Sequence, residues 1–165
     1  MKRMFGIICL ITCNVFTVSA QEQPHLGCKD AVIAAQSAEL KTSLIQQGFE
    51  LQNDAMVGIS SSDGFPVVTR MQGGEFYQIV FIGNTRARKM RLSLYDPQKK
   101  LQVAKEQRPL QQTSNVINFS FTPPSDGNYR IELEQHMKSS MFQHAGESCG
   151  SISIFRLKKD KKTSN

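Results

Sequence analysis

The chain has 165 residues, with 20 Lys and Arg against 14 Asp and Glu, and a formal net charge of +6. Lys2, Arg3 and the basic segment 156–162 account for this excess, so the rest of the chain is close to neutral. A basic folded surface for nucleic acid is therefore not expected, and no aromatic residues interleave with the terminal lysines as single-strand binding requires.

The first 20 residues have the pattern of a secretory signal peptide. Lys2 and Arg3 precede an apolar run that begins at Phe5, and residues 18–20 are the small or short residues that precede a cleavage site. A membrane anchor is the alternative, but polar residues interrupt the run, which is shorter than the roughly 20 apolar residues of a span. We therefore expect an exported protein, periplasmic or secreted, with no stable transmembrane segment after cleavage.

Two cysteines, Cys28 and Cys149, are left after the signal peptide is removed. In an exported chain they predict one disulfide, with free or intermolecular thiols as the alternative. The bridge would connect the start of the predicted helix to the last predicted strand. For a loop of that size the chain-entropy estimate is about 4 to 5 kcal/mol.

A leader (21–29), a single folded domain (30–157) and a basic disordered tail (158–165) are predicted for the mature chain. The domain begins with a helix, for which Asp30 is a plausible N-cap and Gly48 a plausible C-terminal stop. One narrow stripe of the helix carries Ile33, Ser37, Leu40 and Leu44. The helix therefore needs a sheet or a core to pack against.

After Gly48 the period of the apolar residues changes to two, and no further helix is expected. Residues 75–82 are apolar on both faces, which predicts a central strand that follows a turn at Gly73-Gly74. Residues 83–89 and 107–114 are predicted to be loops. About eight short strands are predicted, over residues 49–59, 67–71, 75–82, 90–95, from 101, 117–121, 129–134 and 151–157. This spacing indicates a mostly β, antiparallel sandwich or barrel.

Several of these stretches resemble the bacterial pre-peptidase C-terminal module over roughly residues 71–134. The similar motifs are residues 74–81, residues 92–96 with Val103-Ala104, residues 121–124 and residues 127–131. Members of that family are small jelly-roll-like β-sandwiches attached to secreted hydrolases, and they are non-catalytic accessory or binding modules. The resemblance implies a stand-alone jelly-roll-like sandwich in a bacterial exported protein, and turn and core motifs say little about function.

The chain departs from that family in two places. Where the family often has an acidic pair before the strand matching Leu92, this chain has Arg88, Lys89 and Arg91, so calcium binding is not carried over. The turn glycine usually found near Lys100 is also missing.

No motif for catalysis, metal or cofactor binding is complete in the sequence. Residues 58–62 lack the second glycine of a G-x-S-x-G elbow and are not followed by a helix pattern. One segment gathers metal-ligand types at spacings that match no compact zinc pattern, namely His136, His144, Glu147 and Cys149. We therefore expect a protein that is not an enzyme and has no cofactor.

Two segments are candidate binding sites. The first is the irregular stretch 135–150, where Met137, Met141 and Phe142 could form an adaptable contact surface or could cap an open end of the sandwich. The second is a basic patch that could meet an anionic glycan, lipopolysaccharide or an acidic protein, or could be an ordinary solvated surface. It consists of Arg86, Arg88, Lys89 and Arg91.

The leading hypothesis is an exported, non-catalytic β-sandwich that binds an envelope component, a glycan or a partner protein. One alternative is an inhibitor or chaperone of an exported protease, which would use Met141 and Phe142. A second alternative is an unrecognised hydrolase, which would need a pocket around His136 or His144.

Overall fold

A computed structural model describes residues 27–112, 114–138 and 148–159. Within these residues it contains two helices and eight strands. In chain order they are α1 Ala31–Gln46, β1 Phe49–Ile59, β2 Phe65–Met71, β3 Tyr77–Ile82, β4 Ala87–Tyr95, β5 Leu101–Gln107, α2 Pro109–Gln112, β6 Val116–Phe121, β7 Gly127–Met137 and β8 Ser148–Leu157.

The strands form two four-stranded antiparallel sheets. The first sheet has the order β1-β8-β3-β6 and the second has the order β2-β7-β4-β5. Of the consecutive strands described, only β4 and β5 are paired within one sheet, and every other connection crosses between the sheets. Eight strands connected in this way form a jelly roll, which confirms the predicted fold class.

The main core lies between the two sheets and is built from alternate residues of the strands. Its most deeply buried members, each less than 2 % exposed, include residues of both layers: Ile79 and Phe81 from the first sheet, and Leu92, Leu94, Tyr129 and Ile131 from the second. The period of two read from the sequence is thus the period of burial.

Helix α1 begins and ends as the sequence predicts. The Asp30 carboxylate accepts hydrogen bonds from the backbone N–H groups of the second and third helical residues, at 3.0 and 3.1 Å. At the other end Gly48 has a φ of +90°, a left-handed conformation that favours glycine and ends the helix. The buried residues of α1 are Ile33, Ser37 and Leu44, which all belong to the predicted stripe.

The helix packs on the outer face of the first sheet, where it forms a second core. This core contains Ile33 and Leu44 of α1 with Phe49, Val80, Ile82 and Phe155 of the sheet. It explains why β3 is apolar on both faces, since one face meets the second sheet and the other meets α1. The expectation of a central strand covered on both sides is confirmed.

Cys28 and Cys149 form a disulfide, with their Cα atoms 5.6 Å apart and a sequence separation of 121 residues. Cys28 precedes α1 and Cys149 lies in β8, so the bridge fastens the start of the helix to the first sheet, as predicted. No described helix is long and apolar enough to cross a membrane.

Some element bounds differ from the prediction. Strand β4 begins at Ala87, inside the predicted loop 83–89, because β7 extends to Met137 and supplies its pairing partner. Strand β8 begins at Ser148 because Ile59 at the end of β1 pairs with it. These extensions depend on partners distant in sequence, which the local pattern does not show.

Two connections also differ from the prediction. The Gly73-Gly74 turn is present, with a φ of +75° at Gly74, but it joins strands of different sheets and does not close a hairpin. The predicted loop 107–114 contains the single helical turn α2.

Candidate binding surface

The two outer faces of the sandwich are covered differently. Helix α1 packs on the first sheet, whereas in the described part of the chain the main helical contact of the second sheet is with the four-residue α2, at β4. The exposed side chains therefore differ between the two outer faces.

The outer face of the second sheet carries several ion pairs beside the exposed Val68. Lys89 Nζ lies 3.0 Å from a Glu106 carboxylate oxygen, and Arg108 lies 3.1 Å from the other oxygen of that group. Arg130 pairs with Glu132 at 2.7 Å. The hydrogen bond from Lys89, with a further one from Arg108, holds the pKa of Glu106 below its ordinary value. These ion pairs partly neutralise the charges of this face.

The centre of this face is closed. Ser93 points away from the core, because its neighbours Leu92 and Leu94 point into it. Its side chain is nevertheless only 1 % exposed, and its hydroxyl has no hydrogen-bond partner in the part of the chain described. Neighbouring side chains therefore cover Ser93.

The predicted basic patch is divided by the structure. Arg86 lies in the loop before β4, while Arg88, Lys89 and Arg91 lie in β4 itself. Lys89 is paired with a glutamate, and Arg91 lies in register between glutamates of β5 and β7. The patch is therefore partly neutralised, and its role toward an anionic partner stays a prediction.

The candidate loop 135–150 is described only at its two ends. Met137, the last residue of β7, is partly buried and packs against the main core, which agrees with a capping role for this residue. Met141 and Phe142 lie outside the described residues, so their role in binding stays a prediction.

A buried amide anchors the base of that loop. Gln135 is 1 % exposed; its side-chain oxygen accepts the Asn84 N–H at 2.7 Å, and its amide donates to the Ser148 hydroxyl. The predicted strand ends at residue 134 and therefore leaves Gln135 out. The alternation of inward-facing residues, which continues from Ile131 and Leu133, could have predicted that Gln135 lies on the inner face of the strand.

The groups considered for catalysis are dispersed. His136 is 46 % exposed, and its imidazole is 3.9 Å from Glu134, a neighbour on the same strand. His144 and Glu147 lie outside the described residues. Asp96 and Asp126 act in turns, since Asp96 accepts the N–H of Lys100 at 2.8 Å and Asp126 that of Gly73 at 2.7 Å. Among the described residues, no three His, Cys, Asp or Glu are placed to hold a metal ion.

One part of the first sheet's outer face is left open beyond α1. We call it the β3–β6 corner and define it by Phe76, Gln78, Asn118, Ser120 and Leu157. Phe76 is 39 % exposed and Leu157 40 %. None of the five side chains is ionisable, in contrast to the opposite face of the sandwich.

Strand register brings the corner together. Gln78 of β3 lies opposite Ser120 of β6, and Asn118 follows two residues away on the same outer face. The Leu157 N–H donates to the Phe76 carbonyl at 2.9 Å, which places the leucine beside the aromatic ring at the end of β8. Neighbouring strands hold all five backbones in fixed positions.

The polar groups of the corner are oriented by their own hydrogen bonds. The Gln78 amide donates to the Asn118 side-chain oxygen and accepts from the Ser120 hydroxyl, at 2.8 Å in the second case. Within the described chain, the Asn118 amide nitrogen has no acceptor. The corner therefore presents free N–H donors in a preset direction.

The ring of Phe76 is also held in place. It contacts the buried ring of Phe49, with centroids 6.2 Å apart and planes tilted by 42°. This contact restrains the ring, which is still 39 % exposed. A preset aromatic surface costs little conformational entropy when it binds.

A groove of about 370 Å³ borders the corner at Leu157. Its cations are partly neutralised, since Arg156 pairs with Glu50 at 3.3 Å and Lys159 pairs with Glu75. Lys158 also lines the groove, and its backbone N–H donates to the Gly48 carbonyl at 3.0 Å. The first two residues of the predicted tail are thus attached to the domain, and residues 160–165 lie outside the described part.

No family model matches the sequence, and no curated protein matches it either. The chain is similar to the solved structure "CBM4 structure and function", with 11 % sequence identity over 67 % of this chain and 79 % of that one and a TM-score of 0.42. It is also similar to an arabinose-bound MgGH51 α-L-arabinofuranosidase, with 9 % identity over 69 % of this chain and 24 % of that one and a TM-score of 0.33. A third similar structure is a glycosylation associate protein complex from Streptococcus agalactiae, with 11 % identity over 70 % of this chain and 43 % of that one and a TM-score of 0.32. This chain thus spans less than half the length of the second and third. Similarity at this level identifies no function, and kinship with the pre-peptidase C-terminal module stays a prediction.

Proposed function

We propose that the chain is an exported, non-catalytic binding module that acts at the bacterial envelope through the β3–β6 corner. The observation that carries the proposal is the combination found there of an exposed aromatic ring, an exposed leucine and pre-oriented amide groups. Apolar groups rimmed by polar ones mark contact sites more often than charged faces do, because their burial on binding releases water at little electrostatic cost.

A disulfide supports the proposed location outside the cytoplasm. The bridge between Cys28 and Cys149 suits an oxidising compartment such as the periplasm or the cell exterior. The signal pattern of residues 1–20 leads to the same compartment.

Absence of catalysis is part of the proposal. A hydrolase needs a nucleophile or an acid–base pair directed into a cavity. Here the exposed His136 lies on a flat strand face, and the glutamates near it pair with bases. A hydrolytic activity of the pure protein that a single substitution abolishes would contradict this part.

Capture of envelope material tests the site. The signal-free protein is immobilised and incubated with a solubilised envelope fraction of the source bacterium. Leu157→Asp places a charge in the corner, and Val68→Asp is its matched control, because Val68 is an exposed aliphatic residue on the opposite outer face, 62 % exposed.

We expect L157D to lose most of the captured material and V68D to retain it. Unchanged melting temperatures of both variants establish that the fold is intact. Equal capture by all three proteins, or loss in V68D alone, would show that the corner is not the binding surface.

A further inference from the structure

The geometry points to a neutral saccharide chain as the ligand of the β3–β6 corner, an assignment that rests on the corner being the binding surface proposed above. It names the chemical class of the ligand, which the preceding section leaves open. Charge, hydrogen-bonding capacity and the aromatic ring each support it.

The first argument is charge. An anionic or cationic partner would be recognised by opposite charges, and the corner has no ionisable side chain. The cations of its rim that form ion pairs, Arg156 and Lys159, are already matched with Glu50 and Glu75. A ligand that covers these five residues therefore meets no opposite charge there, and Lys158 adds a cation at the rim beside Leu157.

The second argument is hydrogen-bonding capacity. A sugar hydroxyl is both donor and acceptor, and it is best met by groups that offer both roles. The amides of Gln78 and Asn118 and the hydroxyl of Ser120 offer both, within a ladder across two paired strands. Their mutual hydrogen bonds fix the directions of the remaining donors and acceptors, so little ordering is needed on binding.

The third argument is the ring of Phe76. A sugar ring has a face of C–H groups, which packs on the face of an aromatic ring and avoids any polar mismatch. Phe76 contacts Phe49 and is 39 % exposed, and it lies two residues before Gln78. Leu157 extends the apolar surface on the side away from the amides.

An added peptide strand is the chief competing occupant, because β6 is an edge strand of the first sheet. Such a peptide would bind through backbone hydrogen bonds and would depend little on side chains at 76 and 118. The experiment separates the two occupants by side-chain substitution.

Affinity gel electrophoresis of the signal-free protein is the test. The probes are three neutral polysaccharides (a β-glucan, a mannan and a xylan) and polygalacturonate as the anionic counterpart. The variants are Phe76→Ala and Asn118→Ala. Tyr95→Ala is the matched aromatic control, since Tyr95 is half-exposed on the opposite outer face.

At least one neutral polysaccharide should retard the protein more than polygalacturonate does. Phe76→Ala should weaken this binding by about tenfold or more, and Asn118→Ala by about three- to tenfold, while Tyr95→Ala leaves it unchanged. Raising NaCl from about 50 to about 500 mM should change the affinity less than twofold, because no charge pair is formed.

Several results would overturn the inference: preference for polygalacturonate, loss of binding in high salt, or binding that is insensitive to F76A and N118A. If no neutral polysaccharide binds while L157D still abolishes envelope capture, the ligand class is wrong and the proposed binding surface stands. If L157D has no effect on capture either, both proposals fail.

Discussion

The outer faces of the two sheets of this jelly roll are covered in different ways. The first sheet buries apolar residues under α1 and leaves one uncharged corner open, whereas the second sheet, among the described residues, has no comparable helix and carries several ion pairs on its outer face. Under the proposed function the corner, and not the more conspicuous charged face, is the binding surface.

The largest difference between the two faces is expected when an apolar side chain that packs beneath α1 is removed. Phe155 is fully buried beneath the helix, so Phe155→Ala should lower the free energy of unfolding by about 3 to 5 kcal/mol. On the opposite face, Val68→Ala should change it by no more than about 0.5 kcal/mol. Urea unfolding measures both; similar losses would mean that the two faces are equally buried.

The disulfide should matter next, because it fastens α1 to the first sheet. We expect Cys28→Ser with Cys149→Ser to cost about 2 to 4 kcal/mol in urea unfolding. Reduction of the wild type should produce the same loss and should leave the double variant unchanged. A reductant effect on the double variant would show that another group is responsible.

The polar contact under the helix should have a smaller effect. The Ser151 hydroxyl donates to that of Ser37 at 3.0 Å, and both side chains are buried. Ser37→Ala should cost about 1 to 2 kcal/mol because it leaves a buried hydroxyl unpaired. The double variant with Ser151→Ala should cost less than the two single effects together, and strict additivity would show that the pair is not coupled.

The smallest effect is expected on the charged face. Lys89→Met should raise the pKa of Glu106, since Lys89 is the main cause of its lowering, and a carboxyl-detected NMR titration measures the change. A lowered folded-state pKa stabilises the fold at pH values above the pKa of the unfolded state. This stabilisation is lost as the pH falls through the folded-state pKa. The variant should show a smaller acid-side loss, because the pair with Arg108 remains, and an unchanged titration would show that the Lys89 pair does not form in solution.

Much of the fold could be predicted because it depends on local alternation. Capping residues predicted the ends of the helix at Asp30 and Gly48, and the apolar pattern predicted the central position of β3. The predicted export, together with the two remaining cysteines, predicted the disulfide. The β3–β6 corner could not be found in this way, because Gln78 and Asn118 are 40 residues apart and meet only through strand register. The division of the basic patch could not be predicted for the converse reason, since Lys89 is adjacent in sequence to the other members but pairs with Glu106 of another strand.

Site-specific photocrosslinking tests most directly which face is used. A benzophenone amino acid replaces either Phe76 or Tyr95, two aromatic residues on opposite outer faces, and each protein is irradiated with the envelope fraction. We predict a covalent adduct of higher mass from position 76 and none from position 95. An adduct from position 95 alone would contradict the account and assign binding to the charged face.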